Sequence, residues 1–186
     1  MMRPRVLVAF LPALVFAACS SSKSTTSTVA APPAPAGAAA APSAKADIEA
    51  RSGSTVSGTA TFTETGDGVR VSVDVSGVPE GVHAVHLHEK GDCSAPDATS
   101  AGGHFNPSGA PHGAPDAPNH HAGDFGNMTV GADGKGHVAL TTRMLTVSAG
   151  PNSVLARGII VHAKADDLQT QPTGNAGGRI GCGVVR

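Results

Sequence analysis

The chain has 186 residues and a formal net charge of −1, so it lacks the basic character of a nucleic-acid-binding protein. Its 24 Gly and 14 Pro follow no strict period, which excludes a collagen-like rod. Val, Thr and Gly are common while the helix formers Leu, Glu, Lys and Gln are scarce, which favours strands joined by turns over a helical bundle. Nine His outnumber the five Phe, and three Cys leave one over after any pairing.

The N-terminal segment has the features of an export signal. Arg3 and Arg5 precede an apolar run of 13 residues over 6–18, which is too short to cross a bilayer of about 30 Å as a helix. A basic start, a short apolar stretch and small residues at its end are typical of a secretory signal. We therefore predict a signal peptide over residues 1–18 and an exported protein.

The end of this signal resembles the cleavage box of bacterial lipoproteins. The resemblance covers Val15 to Cys19, with Phe16 at a position where a smaller aliphatic residue is usual. It implies that Cys19 becomes a lipid-bearing N-terminus, which would account for the odd cysteine and anchor the protein to a membrane of the cell envelope or periplasm. Each buried methylene of an acyl chain adds about 0.8 kcal/mol to such an anchor. The alternative is a plain secretory signal followed by a Cys19 without a role.

Residues 19–46 form a predicted linker. Of the 27 residues from Ser20 to Ala46, 24 are Ala, Ser, Thr, Pro or Gly, and such a segment has too few large apolar side chains to build a core. Pro keeps it extended, while Ser and Thr keep it flexible. We interpret it as a spacer between a membrane and a folded domain over residues 47–186.

The domain itself is predicted to be all-β. Val69, Val71, Val73 and Val75 alternate with polar residues, as in a half-buried strand, and alternating Thr residues just before them predict a hairpin. Further strands are predicted around 85–87 and over 126–130, 136–142, 154–162 and 179–185. The stretches 90–123 and 164–178 lack such patterns, and loops of this length are usually functional. The predicted fold is a Greek-key β-sandwich or barrel of about eight antiparallel strands with two long loops.

The histidines cluster at spacings that suit metal binding. His86 and His88 lie two apart on a strand, so both project from one face with Cα atoms about 6–7 Å apart. The long loop and its end carry three imidazoles and one carboxylate, at His104, His112, His121 and Asp124. This donor set is typical of tetrahedral zinc, which would also order the loop. The alternative is a set of polar loop residues, and His162 alone is interpreted as a core histidine.

A series of motifs closely resembles the copper/zinc superoxide dismutases, in particular their bacterial, exported lipoprotein branch. The motifs are HAVHLHE at 83–89, GDC at 91–93, GHFNP at 103–107, HAGDFGN at 121–127, VHAKADD at 161–167 and GNAGGRIGCG at 174–183. The resemblance extends from about Asp47 to Arg186. It implies one copper and one zinc ion per subunit.

The resemblance assigns the metal ligands residue by residue. The copper ligands are four imidazoles, those of His86, His88, His104 and His162. The zinc ligands are three imidazoles and a carboxylate, those of His104, His112, His121 and Asp124. His104 is therefore expected to bridge the two metals, and Asp166 is expected to lie between His86 and His112 as a second link. His83 and His137 match no ligand and are interpreted as structural or surface residues.

The same resemblance implies that the protein disproportionates superoxide at copper. One superoxide is oxidised to dioxygen, and a second takes the electron and two protons to give hydrogen peroxide, with His104 as a proton carrier. Arg179 is expected to hold the anion beside copper, because its guanidinium stays charged. From Asp47 onward the chain has 14 acids and only nine Lys and Arg. Attraction of superoxide must therefore come from local charge.

Cys93 in the long loop and Cys182 in the last strand are expected to form a disulfide, because export places the domain where disulfides persist. Two other functions remain open. One is an envelope carrier of copper or zinc with a dismutase-like domain, although the presence of all seven ligands and Arg179 favours the enzyme. The other is a structural or adhesive surface lipoprotein, which only the linker supports. A homodimer is a further possibility.

Overall fold

The computed structural model describes residues 40–186. The predicted signal peptide, Cys19 and the first part of the predicted linker lie outside the described residues. Residues 40–186 form eight strands and one 3-10 turn at Thr99–Ala101. No helix in this part of the chain is long and apolar enough to cross a bilayer. The strands are β1 Ser43–Ala50, β2 Ser57–Thr65, β3 Gly68–Ser76, β4 Gly81–His88, β5 Asp124–Val130, β6 Gly136–Thr142, β7 Gly158–His162 and β8 Arg179–Val184.

The eight strands form one closed antiparallel barrel. Their order around the barrel is β1-β2-β3-β6-β5-β4-β7-β8, and pairing of Glu49 with Cys182 closes the ring. The connection from β3 to β4 therefore passes two intervening strands, and so does the connection from β6 to β7, as in a Greek key. This architecture confirms the predicted all-β fold. It also removes exposed sheet edges, which would otherwise be free to pair with other chains.

The core follows from the alternation along the strands. In β3 the four Val residues are buried while the residues between them are more exposed, and Phe62 of β2 and Phe125 of β5 meet inside the barrel with ring centroids 6.4 Å apart. Aliphatic side chains fill the remaining interior. The fully buried ones include Val56, Leu87, Met128 and Ile159. The barrel is thus a rigid support for the loops that leave it.

The largest differences from the prediction are in two strands, and β5 in addition begins at Asp124 rather than at 126. β1 begins at Ser43, four residues before the predicted domain boundary, and its Ala44 and Ala46 are buried. β7 begins at Gly158 rather than at 154, because Ala156 has a φ of 58° that interrupts the extended backbone. The segment before β7 is consequently a third long connection, over residues 143–157.

The two predicted long loops are present, over 89–123 and 163–178. The first is held to β8 by the predicted disulfide between Cys93 and Cys182, whose Cα atoms are 5.9 Å apart. Its later part lies along β4, because Phe105 N–H donates to Leu87 O at 2.8 Å and Gly123 N–H donates to Phe105 O at 3.0 Å. The loop is therefore fixed to the strand that carries the first histidine pair.

Candidate metal centre

Strand pairing brings the separated histidines together. His104 forms an isolated antiparallel bridge with His88, and β4 lies between β5 and β7 in the barrel. His86 and His88 on β4 therefore have Asp124 of β5 on one side and His162 of β7 on the other. The ring centroids of His86 and His104 are only 4.0 Å apart, and those of His86 and His162 are 4.8 Å apart.

The first cluster consists of the four predicted copper ligands. His86, His88, His104 and His162 are all buried, and one nitrogen from each lies within 4.8 Å of the others. Within residues 40–186, each of them also has one buried ring nitrogen without a hydrogen-bond partner, namely His86 Nδ1, His88 Nε2, His104 Nε2 and His162 Nε2. Buried polar atoms are normally paired. Four unpaired imidazole nitrogens in one cluster fit a copper ion, which imidazole binds well.

The opposite nitrogen of each ring is held by the surrounding protein. His88 Nδ1 lies 2.9 Å from Gly102 O, and His86 Nε2 lies 2.7 Å from a carboxylate oxygen of Asp166. Because these oxygens can only accept, the facing nitrogen must donate its N–H. The other nitrogen then carries a lone pair into the cluster, as a metal ligand requires.

The second cluster consists of the predicted zinc ligands and is built around Asp124. One oxygen of this carboxylate, Oδ1, lies 2.8 Å from Nδ1 of His104, 3.0 Å from Nδ1 of His112 and 3.1 Å from Nδ1 of His121. Nδ1 of His104 and Nδ1 of His121 are 3.3 Å apart. Four ligand atoms in a tetrahedron around zinc stand about 3.3 Å from one another. The donor set and its spacing therefore fit zinc.

Asp124 is fixed so that one oxygen faces the cluster. Its Oδ2 accepts from His121 N–H at 2.9 Å and from Gly113 N–H at 3.1 Å. Burial opposes ionisation of the carboxyl, but hydrogen bonds from His104 and from Gly113 N–H outweigh it and lower its pKa to about 2. Asp124 is consequently a carboxylate at neutral pH, the form that binds a cation.

Burial also sets the charge of the copper-side rings. It lowers the pKa of His162 to about 3, with a smaller contribution from the charge of Arg179. The pKa values of His86 and His88 are likewise well below the ordinary value, again chiefly because of burial. These imidazoles are neutral at physiological pH. Neutral imidazole is the form that coordinates metals.

Asp166 connects the two clusters. One of its oxygens lies 2.7 Å from His86 Nε2, and the other lies 2.9 Å from His112 Nε2. Gly174 packs against this carboxylate with a φ of +64°, and a Cβ there would collide with Asp166 and His112. Asn127, which the sequence reasoning did not single out, holds the main chain of Asp166 with both atoms of its amide, at 2.7 and 2.8 Å.

Arg179 lies at the start of β8, paired with His162 of β7. Its two terminal nitrogens donate to Ala98 O and to Gly102 O, each at 2.7 Å. These two bonds fix the plane of the guanidinium, and the group has five N–H donors in total. Other N–H groups of Arg179 thus remain for an anion.

The remaining histidines lie outside both clusters. His83 is buried, with Nδ1 2.9 Å from His162 O and Nε2 2.9 Å from Pro79 O, and it supports the backbone of a candidate copper ligand. His120 points its Nδ1 at His121 O, 2.7 Å away. His137 pairs with Asp74 on the surface. Within residues 40–186, the structure thus places the seven ligand candidates in the two clusters and leaves three other histidines, His83, His120 and His137, outside them.

Comparison with known proteins agrees with the copper and zinc clusters described above. The sequence profile of the copper/zinc superoxide dismutase family matches residues 56–185. A protein from Deinococcus radiodurans named superoxide dismutase [Cu-Zn] is 46% identical over 153 residues, which cover 76% of this chain and 83% of that protein.

Two solved structures are similar to this chain in fold and sequence. The clock protein EA4 superposes with a TM-score of 0.71 and 36% identity, covering 81% of this chain and 97% of that chain. A double mutant of a superoxide dismutase-like protein from Bacillus subtilis superposes with a TM-score of 0.68 and 37% identity, covering 75% of this chain and 95% of that chain. Since the family profile spans most of the barrel and both clusters, this chain belongs to the copper/zinc superoxide dismutase family.

Proposed function

We propose that this protein disproportionates superoxide to dioxygen and hydrogen peroxide in the cell envelope and thereby protects the envelope from oxidative attack. The observation that carries the activity is the cluster of four buried imidazole nitrogens without hydrogen-bond partners. Membership of the family supports the same reaction. The envelope location rests on the predicted signal over 1–18, on Cys19 and on the linker.

The metals divide the work according to their chemistry. When bound, copper supplies the centre that takes an electron from one superoxide and gives it to the next, while zinc has no redox change and can only order and polarise. On the copper side, the chain supplies the neutral imidazoles of His86, His88 and His162. It supplies a mixed set to the zinc side, where the Asp124 carboxylate adds a negative charge.

Arg179 is the proposed binding group for superoxide. Hydrogen bonds to Ala98 O and Gly102 O hold the guanidinium in place, and the second of these carbonyls also faces His88. The cation is thereby tied to the same backbone as a copper-side ring. A small anion drawn to it would lie next to that cluster.

His104 is the proposed proton carrier. Its Nδ1 faces Asp124 on the zinc side, whereas its Nε2 is buried and unpaired on the copper side. A proton held at Nε2 lies within the cluster where peroxide forms. Because the opposite nitrogen stays in the zinc cluster, the ring remains oriented while the proton is held.

Replacing Arg179 tests the proposed anion site. Arg179→Ile should lower the dismutation rate at low ionic strength by at least about tenfold, while both metals remain bound, because the anion loses its fixed positive partner. Arg70→Ile, a change on the exposed face of β3, should leave the rate within about twofold. A fully active Arg179→Ile variant would remove Arg179 from the reaction.

Replacing Cys19 tests the proposed anchor. In cells that produce the full chain, Cys19→Ser should abolish incorporation of labelled fatty acid and move the protein from the membrane fraction to the soluble envelope fraction. Unchanged labelling, or a wild-type protein that carries no lipid, would contradict the anchor. Sedimentation of the detergent-solubilised wild-type protein distinguishes a homodimer from a monomer.

A further inference from the structure

Gln171 in the second long loop holds the main chain of a zinc-side residue. Its Oε1 accepts from His112 N–H at 2.8 Å, and its Nε2 donates to His112 O at 2.8 Å. One side-chain amide thus satisfies both backbone groups of His112. The pairing is of the kind that a neighbouring β-strand would provide. No motif that identified the ligands includes this glutamine.

The turn that carries Gln171 is itself well fixed. Asp167 Oδ1 accepts from Gln169 N–H at 3.0 Å and from Thr170 N–H at 2.7 Å, and Gly174 N–H donates to Thr170 O at 2.7 Å. A short closed turn therefore presents the amide of Gln171 to His112. Gln171 is exposed and lies outside the strands of the barrel, so replacing it removes no side chain from the barrel core.

The contact joins the two long loops at a metal-binding residue. The His112 ring already faces Asp124 with one nitrogen and Asp166 with the other. Its main chain is held by Gln171, in the same way that Asn127 holds the main chain of Asp166. Both residues that link the loop over 163–178 to the zinc cluster are thus fixed by a side-chain amide.

We propose that Gln171 is a positioning residue that holds His112 in the geometry zinc requires and couples the zinc cluster to the loop over 163–178. The proposal rests on the assignment of His112 as a zinc ligand. Groups that orient metal ligands typically change metal affinity by about 10–100-fold when they are removed. His112 belongs to the zinc cluster and not to the copper cluster, so loss of the Gln171 contact is expected to act mainly on zinc binding.

Zinc competition with a chromogenic chelator on the purified full chain tests the proposal. Gln171→Met keeps the length of the side chain without its hydrogen bonds, and Gln171→Ala removes it. Both should weaken zinc binding by about tenfold and leave copper affinity within about twofold. The matched control is Gln169→Ala, which changes an exposed glutamine of the same turn and should leave zinc binding unchanged.

Tryptic cleavage after Lys164 provides a second measurement, because this exposed lysine lies at the start of the loop. Zinc binding should slow this cleavage in the wild type. In both Gln171 variants the protection by zinc should be several-fold smaller, because coupling between the zinc cluster and the loop is reciprocal. Unchanged zinc affinity and unchanged protection in both Gln171 variants would overturn the proposal. His112→Ala must lose zinc; if it keeps zinc, the ligand assignment fails and the proposal fails with it.

Discussion

At the scale of single residues, the side chain of Asp166 links the two metal clusters directly. Each of its carboxylate oxygens accepts a hydrogen bond from Nε2 of one ring, that of His86 on the copper side and that of His112 on the zinc side. Both rings are thereby held with their other nitrogen facing a cluster. A single side chain thus orients one ligand candidate at each site.

Asp166→Asn should weaken zinc binding by about 10–100-fold. The amide keeps one acceptor oxygen but places an NH2 group against a ring N–H, so one imidazole loses its partner. Zinc affinity measured by chelator competition checks the result. Asp116→Asn, a change at an exposed acid of the first long loop, should have no effect, and equal affinities in the two variants would refute the role of Asp166.

The candidate ligands on β4 and in the first long loop were predictable from the sequence, because their spacing is local and their side chains are chemically distinctive. His86 and His88 share a strand face, and four further candidates follow at His104, His112, His121 and Asp124. The spacing alone left His162 as a core histidine, and only the resemblance to the family placed it with the copper-side candidates. Gln171 and Asn127 were not predictable in this way. Both act through main-chain hydrogen bonds to residues 59 and 39 positions away, and nothing in an amide side chain indicates which backbone it will hold.

At the scale of elements, the fold was predictable where large apolar residues alternate and not where small ones do. The alternating Val residues predict β3, whereas the residues that the start of β1 buries in the core are the small Ala44 and Ala46. Ala46 lies opposite Ala60 of β2, so two small residues share one place in the barrel. Composition alone therefore assigned the start of β1 to the linker.

The disulfide connects the first long loop to β8 and supports the arginine site. Cys93 lies in the segment whose Ala98 and Gly102 carbonyls hold Arg179, and Cys182 lies three residues after Arg179 in β8. The crosslink thus joins the two elements that contribute to the anion site. Its loss is expected to affect both stability and the position of the guanidinium.

Replacing both cysteines with Ala should lower the free energy of unfolding of the metal-free protein by about 4–5 kcal/mol. The crosslinked residues are 89 positions apart, so the bond restricts a large part of the unfolded chain. Denaturant unfolding of the double variant beside the wild type measures the difference. Reduced wild type should match the variant, and a difference below about 1 kcal/mol would contradict the expectation.

At the scale of the whole molecule, the buried imidazoles make stability depend on pH. The pKa of His162 is about 3 in the folded protein, against an ordinary value of 6.5, and the pKa values of His86 and His88 are also lowered by burial. The unfolded chain therefore binds more protons than the folded one below pH 6.5. Asp124, with a pKa of about 2, acts in the same direction at lower pH.

The metal-free protein should accordingly be most stable above pH 6.5 and lose stability as the pH falls from there toward about 3. Each of these groups contributes a slope of up to about 1.4 kcal/mol per pH unit. Denaturant unfolding across about pH 7 to pH 4 measures the sum. A free energy of unfolding that stays constant or rises on acidification over this range would contradict the assignment of neutral, buried rings.

The central claim is that the four-imidazole cluster makes this protein a superoxide dismutase. The most direct measurement is the decay of superoxide in stopped flow with the full chain loaded with copper and zinc, beside His162→Ala loaded in the same way. We expect rapid catalytic decay with the wild type. His162→Ala should keep most of its zinc and lose both copper and activity, because His162 belongs to the copper cluster alone. A wild-type protein that binds both metals without accelerating the decay would contradict the claim and identify a metal carrier instead.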